Sequence, residues 1–488
     1  MTTSLEKIKR SKALNILKNV ISSKYFPFAT AAVLLACYYL GLDIVAIYYM
    51  GLVFLLIFLL LDDITPLLPQ VIFVNLVVSL KHTPSDAMGG YDYYSSTAIL
   101  AQIIVIVSLI FCALIYRLVL CCVKKKMKLS PIFYGLCVLS FAFILNGLFS
   151  KEYTPKNILY GAVLTICLLL IYAAIKDNIK ISKENFEKIA YGFVALSVLL
   201  IIELIVAYAT TENLFVDGNI QRGKLIFGWG VYNTYGLLIL MCIPAVLYLA
   251  GKEKCGYLFT AYSLLILAAT FLCCSRQAMV GALVIYPACM IILLVKGKYR
   301  IPNICIAAAT VAAGIVFICI FREKFVGFFK TVFENVFVNG ELNGSGRWRI
   351  WKEALDYFSS SPLLGSGFYV DYTYDGAAGL SFIPMMCHNT VLELMAACGI
   401  IGLAAYLVHR AQTVISFCKN VTLERTFIAL TILPILILSL LDCHIFLIFP
   451  TVVYACLLAV FDKSQDKTPN TEAEVESVSV EKETEQEV

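Results

Sequence analysis

The chain has 488 residues, of which 60 % are hydrophobic and 15 % are charged, and its formal net charge is +5 at pH 7. Soluble domains are closer to a quarter charged and less than half apolar. The composition therefore excludes a soluble protein of this size and predicts an all-α polytopic membrane protein. The 18 cysteines lie mostly in apolar runs and form no CxxC pair, which predicts free cysteines that behave as small hydrophobic residues.

Apolar segments of membrane-spanning length recur along the chain. The criterion of about 20 residues, relaxed for tilted or short helices, gives about fourteen transmembrane helices. They are 26–42, 44–61, 67–80, 97–120, 130–149, 158–175, 189–210, 229–250, 257–273, 277–295, 302–321, 387–407, 426–441 and 443–461. Residues 26–321 thus hold helices 1–11, residues 322–386 form one large external loop, and residues 387–461 hold helices 12–14.

The basic residues predict the orientation of these segments. With the N-terminus inside, every basic connection lies on the same face: 123–129, 176–188, 251–256, 296–301 and 409–425. Lys and Arg favour the cytoplasmic side of a membrane. Residues 1–25 therefore form a basic cytoplasmic N-terminus, and residues 462–488, which are Glu-rich and of low complexity, form a disordered cytoplasmic tail. The other connections face the outside of the cytoplasmic membrane.

The external loop contains a predicted amphipathic helix. Large apolar side chains recur at intervals of three, four and three residues: Trp348, Trp351, Leu355 and Phe358. Such a helix is typical of one that lies flat on a membrane. It would hold three basic side chains at the height of lipid headgroups: Arg347, Arg349 and Lys352. Guanidinium groups suit a lipid diphosphate through paired hydrogen bonds and permanent charge.

Two other arginines fall on the outer face, where the charge bias does not explain them. Arg276 sits in a short polar break between two apolar runs, and Arg222 sits in a Gly-rich, aromatic approach to a span. The alternative interpretations are an interfacial arginine reaching the headgroups for Arg276 and an ordinary loop arginine for Arg222. Glu203 lies within a span, which indicates a polar cavity.

His388 and Asn389 mark the point where the loop re-enters the membrane, and Glu393 follows about one turn later. Histidine titrates near neutral pH, which suits it to general base catalysis, although a lone histidine is more often structural. Asp371 and Asp375 are the alternative bases, and the nearby Tyr369 offers a flat face for a sugar ring. The sequence contains no Walker loop, dinucleotide turn, DxD or HExxH motif, so we expect no metal and no cofactor.

The order of these motifs resembles the O-antigen ligase and polysaccharide polymerase superfamily over residues 211–407. The matching series is Arg222 and Asn233, Ser275-Arg276, SGRWRIWKEALDYFSSSPLLGSGF, His388-Asn389 and GIIGL. Each motif is weak alone, but the series in this order is specific. The chain departs from the pattern at Tyr232-Asn233, where the family usually has Pro-Asn, and this departure bears on Arg222.

The resemblance implies a GT-C-like membrane glycosyltransferase architecture and a site on the outer face. It implies that Arg222, Arg276 and Arg347 bind the diphosphate of an undecaprenyl-diphosphate-linked glycan and that His388 is the base. Other residues of the same region are then expected to contact substrate: Arg349, Asn389, Glu393, Trp351, Tyr369 and Asp371. The implied partners are lipid-linked glycans, a chain-length regulator and a flippase of the same pathway, and no nucleic acid.

We therefore expect a metal-independent polysaccharide polymerase that joins lipid-linked repeat units in capsule, O-antigen or exopolysaccharide biosynthesis. One alternative is a ligase of the same family that transfers the finished glycan to a different acceptor. An alternative of another class is a glycolipid flippase or transporter. Transporters commonly show inverted repeats and polar sites at mid-depth, whereas the polar residues here cluster on one face.

Overall fold

The structure is a computed structural model, and it describes residues 12–74, 77, 97–123, 129–151, 153–216, 219–225, 227, 232–320, 322–333, 337–338, 341–342, 347–369 and 387–466. Helices dominate this part of the chain. The first half contains α1 Lys12–Ile21, α2 Phe26–Tyr39, α3 Asp43–Leu60, α4 Leu67–Val71, α5 Thr97–Val123, α6 Pro131–Phe149, α7 Pro155–Lys176 and α8 Lys183–Thr210. A π-helical turn interrupts α7 at Ile166–Leu170.

The second half continues with α9 Tyr232–Lys252, α10 Gly256–Leu272, α11 Arg276–Lys296, α12 Arg300–Ile320, α13 Arg322–Phe333, α14 Arg347–Ser360, α15 Thr390–Lys419, α16 Leu423–Leu438 and α17 Ile448–Lys463. Two short antiparallel hairpins lie in the connections that follow α8 and α13. One pairs β1 Phe215–Val216 with β2 Asn219–Ile220, and the other pairs β3 Phe337–Val338 with β4 Glu341–Leu342. One-turn 3₁₀ helices follow at Arg222–Lys224, His444–Phe446 and Ser464–Asp466.

Nine of the described helices are long and apolar enough to cross a membrane: α3, α5, α6, α7, α8, α9, α11, α12 and α15. The pair α1 and α2, bent by 80°, makes a tenth if it forms one span. The all-α multi-pass architecture predicted from composition is confirmed. The count of fourteen and the GT-C-like arrangement stay predictions. In the predicted span 67–80, the described residues are 67–74 and 77, and the helix α4 within them has only five residues, all buried.

Helix α9 is the centre of the bundle. Its apolar window is 94 % buried, and it packs against α8, α10, α11 and α16. At the opposite extreme, the window of α12 is only 6 % buried. A helix that is apolar all round and surrounded by protein is typical of a bundle core, whereas an apolar exposed helix faces lipid.

Ion pairs gather at one end of the bundle. Lys252, at the end of α9, lies 2.8 Å from Glu424 at the start of α16. Lys176, at the end of α7, lies 2.6 Å from Asp462 near the end of α17. These helix ends belong to the face that the charge bias predicts to be cytoplasmic. The remaining connections between the same helices therefore meet at the opposite face.

Helix α15 is broken at Gly399, which has φ 63° and ψ −161°. The loop after α14 docks into this break. Ser366 N donates to Ala396 O at 2.8 Å, Gly367 N to Ala397 O at 3.0 Å, and Ile400 N to Pro362 O at 2.8 Å. An unsatisfied backbone group costs several kcal/mol in an apolar environment, so the loop stabilises a break that would otherwise be unfavourable.

This docking explains two motifs that lie far apart in the sequence. PLLGSG supplies the docked loop, and GIIG supplies the broken helix. A Cβ at Gly365, which has φ 75°, would overlap the backbone of Ala397. Asn146 of α6 completes the arrangement, since its Nδ2 donates to Leu364 O at 2.7 Å and also to Ala397 O. The docked loop fixes the position of the α15 segment that begins just after His388.

Candidate active site

The site is centred on a pair formed by His388 and Asp442. His388 Nδ1 lies 3.0 Å from Asp442 Oδ1, and their side chains are 33 % and 10 % exposed. His388 precedes the N-cap of α15 and has φ 49°, a left-handed conformation that is uncommon outside glycine. Asp442 lies in the turn between α16 and the 3₁₀ helix. The pair thus joins two polar connections on the face opposite the ion pairs.

Asp442 is also the acceptor for two side chains from other helices. Asn233 Nδ2, in the first turn of α9, donates to Asp442 Oδ2 at 3.3 Å. Gln277 Nε2, in the first turn of α11, donates to the same oxygen at 3.5 Å. Ser275 Oγ caps α11 by accepting from Ala278 N and donates to Asn233 Oδ1 at 3.1 Å. The N-terminal ends of α9, α11 and α15 therefore converge on one carboxylate.

These contacts determine the charge of Asp442. Burial raises the pKa of the Asp442 carboxyl, but the hydrogen bond with His388, the nearby His444 and the backbone N–H of Cys443 together lower it below its ordinary value. Three helix N-termini add a partial positive potential that also favours an anion. Asp442 is therefore a carboxylate at neutral pH, and it can orient His388 and stabilise a positive charge on its ring.

His444 lies behind this pair and is 1 % exposed. Burial lowers the pKa of His444, and the neighbouring Asp442 opposes that shift while His388 adds to it. Histidine in such a place binds a proton less readily than it does in water. The site therefore contains one partly exposed histidine, His388, and one buried histidine, His444.

Arg276 is the first residue of α11 and directly precedes Gln277, so the fold brings it beside the cluster. It is half-buried, and its Nε donates to Val332 O at 2.5 Å in the last turn of α13. Arg276 thus connects α11 to α13, which begins the segment predicted to be the external loop. Its side chain is held by the protein at this interface, which argues against a mobile arginine among lipid headgroups.

Helix α14 lies against α15 and reaches the residue before His388. Trp351 Nε1 donates to Cys387 O at 2.9 Å. Arg347 is half-buried and lies four residues before Trp351, which places both on one face of the helix. Arg349 is on another face, is exposed and approaches Glu353 at 3.9 Å. Arg347 therefore shares the face of α14 that reaches Cys387, and its predicted contact with substrate, like that of Arg349, stays a prediction.

Glu393 and Asn389 support the site from within the protein. The Glu393 side chain is buried, and its Oε2 accepts from Cys387 N at 2.7 Å and from Cys443 Sγ at 2.9 Å. It thereby ties together the neighbours of His388 and Asp442. Asn389 Oδ1 accepts from Val391 N and Leu392 N as the N-cap of α15. Both residues make bonds inside the protein, and their predicted contact with substrate stays a prediction.

Three further predicted site residues lie next to or outside the described parts of the chain. Tyr369 ends the docked loop, where its N donates to Asn157 Oδ1 at 2.8 Å and its ring packs edge-on against Tyr160. Asp371 lies outside the described residues. Arg222 begins the 3₁₀ helix Arg222–Lys224, but its side chain is outside the described part of the chain.

Sequence reasoning gave no role to Asp442 or Gln277. Asp442 lies in the short polar turn Asp442-Cys443-His444 between two apolar segments. The orientation of the spans was predicted from Lys and Arg alone, so an acidic residue in such a turn carried no weight. Gln277 lies next to Arg276 and is an uncharged residue at a helix start. The available signal was their shared position: both fall in connections on the face that the charge bias predicts to be outer.

Residues 261–407 match a family model described as O-antigen ligase. No curated protein matches the chain at a significant level. The matched segment runs from α10 into α15 and contains Arg276, α14, the docked loop and His388, whereas Asn233 and Asp442 lie outside it. Over residues 261–407 the chain is therefore similar to the O-antigen ligase family, and this match supports an O-antigen ligase/polymerase-like protein.

Proposed function

We propose that the protein is a polysaccharide polymerase that joins undecaprenyl-diphosphate-linked repeat units at the outer face of the cytoplasmic membrane. The observation that carries the proposal is the convergence of His388, Asn233 and Gln277 on Asp442 beside Arg276. These residues come from distant parts of the chain and meet at one face. The arrangement combines a base, a group that orients it and a cation beside three helix N-termini.

In the proposed reaction, an acceptor hydroxyl attacks the anomeric carbon of the donor sugar. The bond between that carbon and the diphosphate oxygen breaks, and its electron pair leaves with the diphosphate. The hydroxyl proton passes to His388 Nε2, because Nδ1 in this tautomer carries a proton and donates to Asp442. A positioned base contributes on the order of 10²–10⁴-fold to such a step.

The diphosphate requires stabilisation as the bond breaks. Arg276 and Arg347 supply permanent positive charge and paired N–H donors, and the N-termini of α9, α11 and α15 supply partial positive charge. Such preorganised groups act more strongly in a partly dry site than in water. Guanidinium groups can neutralise the phosphates, so the proposed reaction requires no metal ion.

The alternative within the same family is a ligase that transfers a finished glycan to a different acceptor. Purified protein incubated with lipid-linked repeat units separates the two functions. A ladder of products that differ by one repeat unit supports a polymerase. A single transfer, seen only when a non-repeat acceptor is added, would show a ligase and overturn the polymerase assignment.

The same preparation tests the flippase alternative. In vesicles, a flippase would move a labelled glycolipid between leaflets, and Arg276→Ala and His388→Ala variants would keep that movement. We expect no movement of the glycolipid that depends on the protein.

In the cell, the proposed enzyme lies in the cytoplasmic membrane with both termini inside. It receives its substrate from a flippase, and a regulator controls the length of its product.

A further inference from the structure

A second polar site lies on the same face as the proposed active site. A cavity of about 510 Å³ opens between α2, α8 and the segment that follows α8. Its polar lining includes Tyr38, Tyr39, Glu203, Glu212, Asn213 and Lys224. This volume lies in the range of small-molecule binding sites, about 300–1,000 Å³. The His388–Asp442 pair does not line it.

One face of α8 forms the wall of this cavity. Glu203, Val206, Ala207 and Thr210 follow the spacing i, i+3, i+4 and i+7, which places them on one stripe of the helix. Glu203 is 2 % exposed and lies seven residues before the end of α8, so it is roughly 10 Å below that end. A carboxyl group at that depth in a spanning helix is costly and points to a function.

The opposite wall presents two tyrosine rings. Tyr38 and Tyr39 end α2, and their ring centroids lie 5.1 Å apart at an interplanar angle of 66°. Tyr39 is 48 % exposed. Tyrosine combines an apolar face with a polar hydroxyl, so the two rings can contact both the C–H faces and the hydroxyl groups of a sugar.

The mouth of the cavity carries both acidic and basic side chains. Lys224 Nζ donates to Asn213 O at 3.4 Å, and Glu212 lies beside Asn213. Two carboxyl groups, Glu203 and Glu212, face the cavity together with one lysine. This balance disfavours a diphosphate. It favours a ligand rich in hydroxyl groups, which can donate to carboxylates and accept from Lys224 and from the amide of Asn213.

The cavity is adjacent to the proposed active site. Tyr208, on another face of α8, donates through its hydroxyl to Leu272 O at 2.7 Å and lies 3.8 Å from Cys274 Sγ. Cys274 is two residues before Arg276. The width of helix α8, about 10–12 Å, therefore separates the cavity from the turn that precedes Arg276. A glycan attached to a substrate in one site can extend into the other.

We propose that this cavity is a saccharide-binding site that holds part of a glycan outside the reaction centre. The proposal rests on the proposed glycosyl transfer. The bound sugars come either from the acceptor repeat unit or from the growing chain of the donor. In both cases, Glu203, Tyr38, Tyr39 and Lys224 contact sugar hydroxyls and ring faces rather than the diphosphate.

Binding is tested with the oligosaccharide released by mild acid from the host's lipid-linked repeat unit, which carries neither diphosphate nor lipid. It is titrated calorimetrically into purified protein in nanodiscs. Tyr39→Ala and Glu203→Gln should each weaken binding at least about tenfold. Tyr153→Ala, which removes an exposed tyrosine between α6 and α7, is the matched control and should change nothing. Unchanged binding in both cavity variants, or no binding by the wild type at millimolar ligand, overturns the proposal.

Activity measurements separate this proposal from the proposed function and identify the source of the sugars. Arg276→Ala should abolish transfer but leave oligosaccharide binding intact. If transfer depends on Arg276 while the cavity variants bind normally, the saccharide site is wrong and the transferase stands. If the cavity variants lose binding but the wild type transfers nothing, the saccharide site stands and the proposed transferase function is wrong. If the cavity holds the acceptor repeat unit, Tyr39→Ala should raise the KM for that unit. If it holds the growing chain, Tyr39→Ala should give shorter products while the KM stays constant.

Discussion

Asp442 lies 3.0 Å from the ring of His388, although the two residues are 54 positions apart in the chain. The carboxylate also accepts from Asn233 and Gln277, so it holds the starts of three helices around the histidine. Removal of its charge should therefore disturb both the orientation of His388 and the stability of the cluster.

Asp442→Asn should lower kcat on the order of 10²–10⁴-fold, because an amide does not select the His388 tautomer or stabilise a protonated ring. The KM for the lipid-linked repeat unit should change little. Steady-state transfer assays measure both constants. Asp356→Asn, an exposed carboxyl on α14, is the control and should behave as wild type. A kcat for Asp442→Asn within about twofold of wild type would show that the pair is not catalytic.

The pH dependence of stability gives a second prediction for Asp442. Its pKa is lowered in the folded protein, because the bonds from His388 and Cys443 outweigh the effect of burial. A carboxyl with a lowered pKa stabilises the fold fully above its ordinary value, about 3.9, and loses that contribution as the pH falls toward the folded value. Asp442→Asn should therefore melt below wild type at neutral pH, and the difference should narrow below about pH 4. A gap that stays constant would contradict an ionised Asp442.

Arg276→Lys should impair transfer although it keeps the positive charge. Lysine lacks the planar donor set of the guanidinium and the bond from Nε to Val332 O, so we expect a loss on the order of 10–10²-fold in kcat/KM. Arg300→Lys is the matched control. Arg300 also begins a helix and donates from Nε to a backbone carbonyl, that of Gly297, at the other face. Equal effects of the two substitutions would remove the case for diphosphate binding at Arg276.

Gly399→Ala should destabilise the protein more than Gly41→Ala. Gly399 has φ 63° and ψ −161°, a backbone conformation open essentially only to glycine, and its Cβ would overlap the carbonyl of Leu363 in the docked loop. A Cβ at Gly41, with φ 67°, meets nothing within 4 Å, so Gly41→Ala costs only the positive φ, about 1–2 kcal/mol. Thermal melting in detergent should show a clearly larger loss of stability for Gly399→Ala than for Gly41→Ala. Equal losses would contradict the break of α15 at Gly399 and the docking of the loop into it.

The sequence predicted the helical membrane class and singled out Arg276 and His388 as candidate site residues. The helical class could be predicted because an apolar run long enough to span a membrane is a local property of the sequence. Arg276 and His388 stood out because polar residues at the edges of spans are rare. The docking of PLLGSG against Gly399 could not be predicted from residue patterns, since it depends on backbone hydrogen bonds between segments about thirty residues apart.

The packing of α14 also differs from what periodicity alone indicates. The helix buries Ile350 and Ala354 against the protein, while Trp348 is 54 % exposed. The apolar stripe is therefore only partly covered: Trp351 contacts Cys387 while Trp348 stays exposed, and Ile350 and Ala354 form a second, smaller buried face. Periodicity identifies amphipathic surfaces but does not say which partner covers them. In the same way, the role of Asp442 became visible only through its neighbours in space.

In the proposed reaction, His388 removes the acceptor proton while Asp442 holds its ring. His388→Asn tests this most directly, because asparagine tolerates the left-handed backbone at this position and its amide can still donate to Asp442, but it cannot act as a base. Turnover of purified lipid-linked repeat units should fall on the order of 10²–10⁴-fold, with binding of the substrate retained. Turnover within about twofold of wild type would contradict the claim.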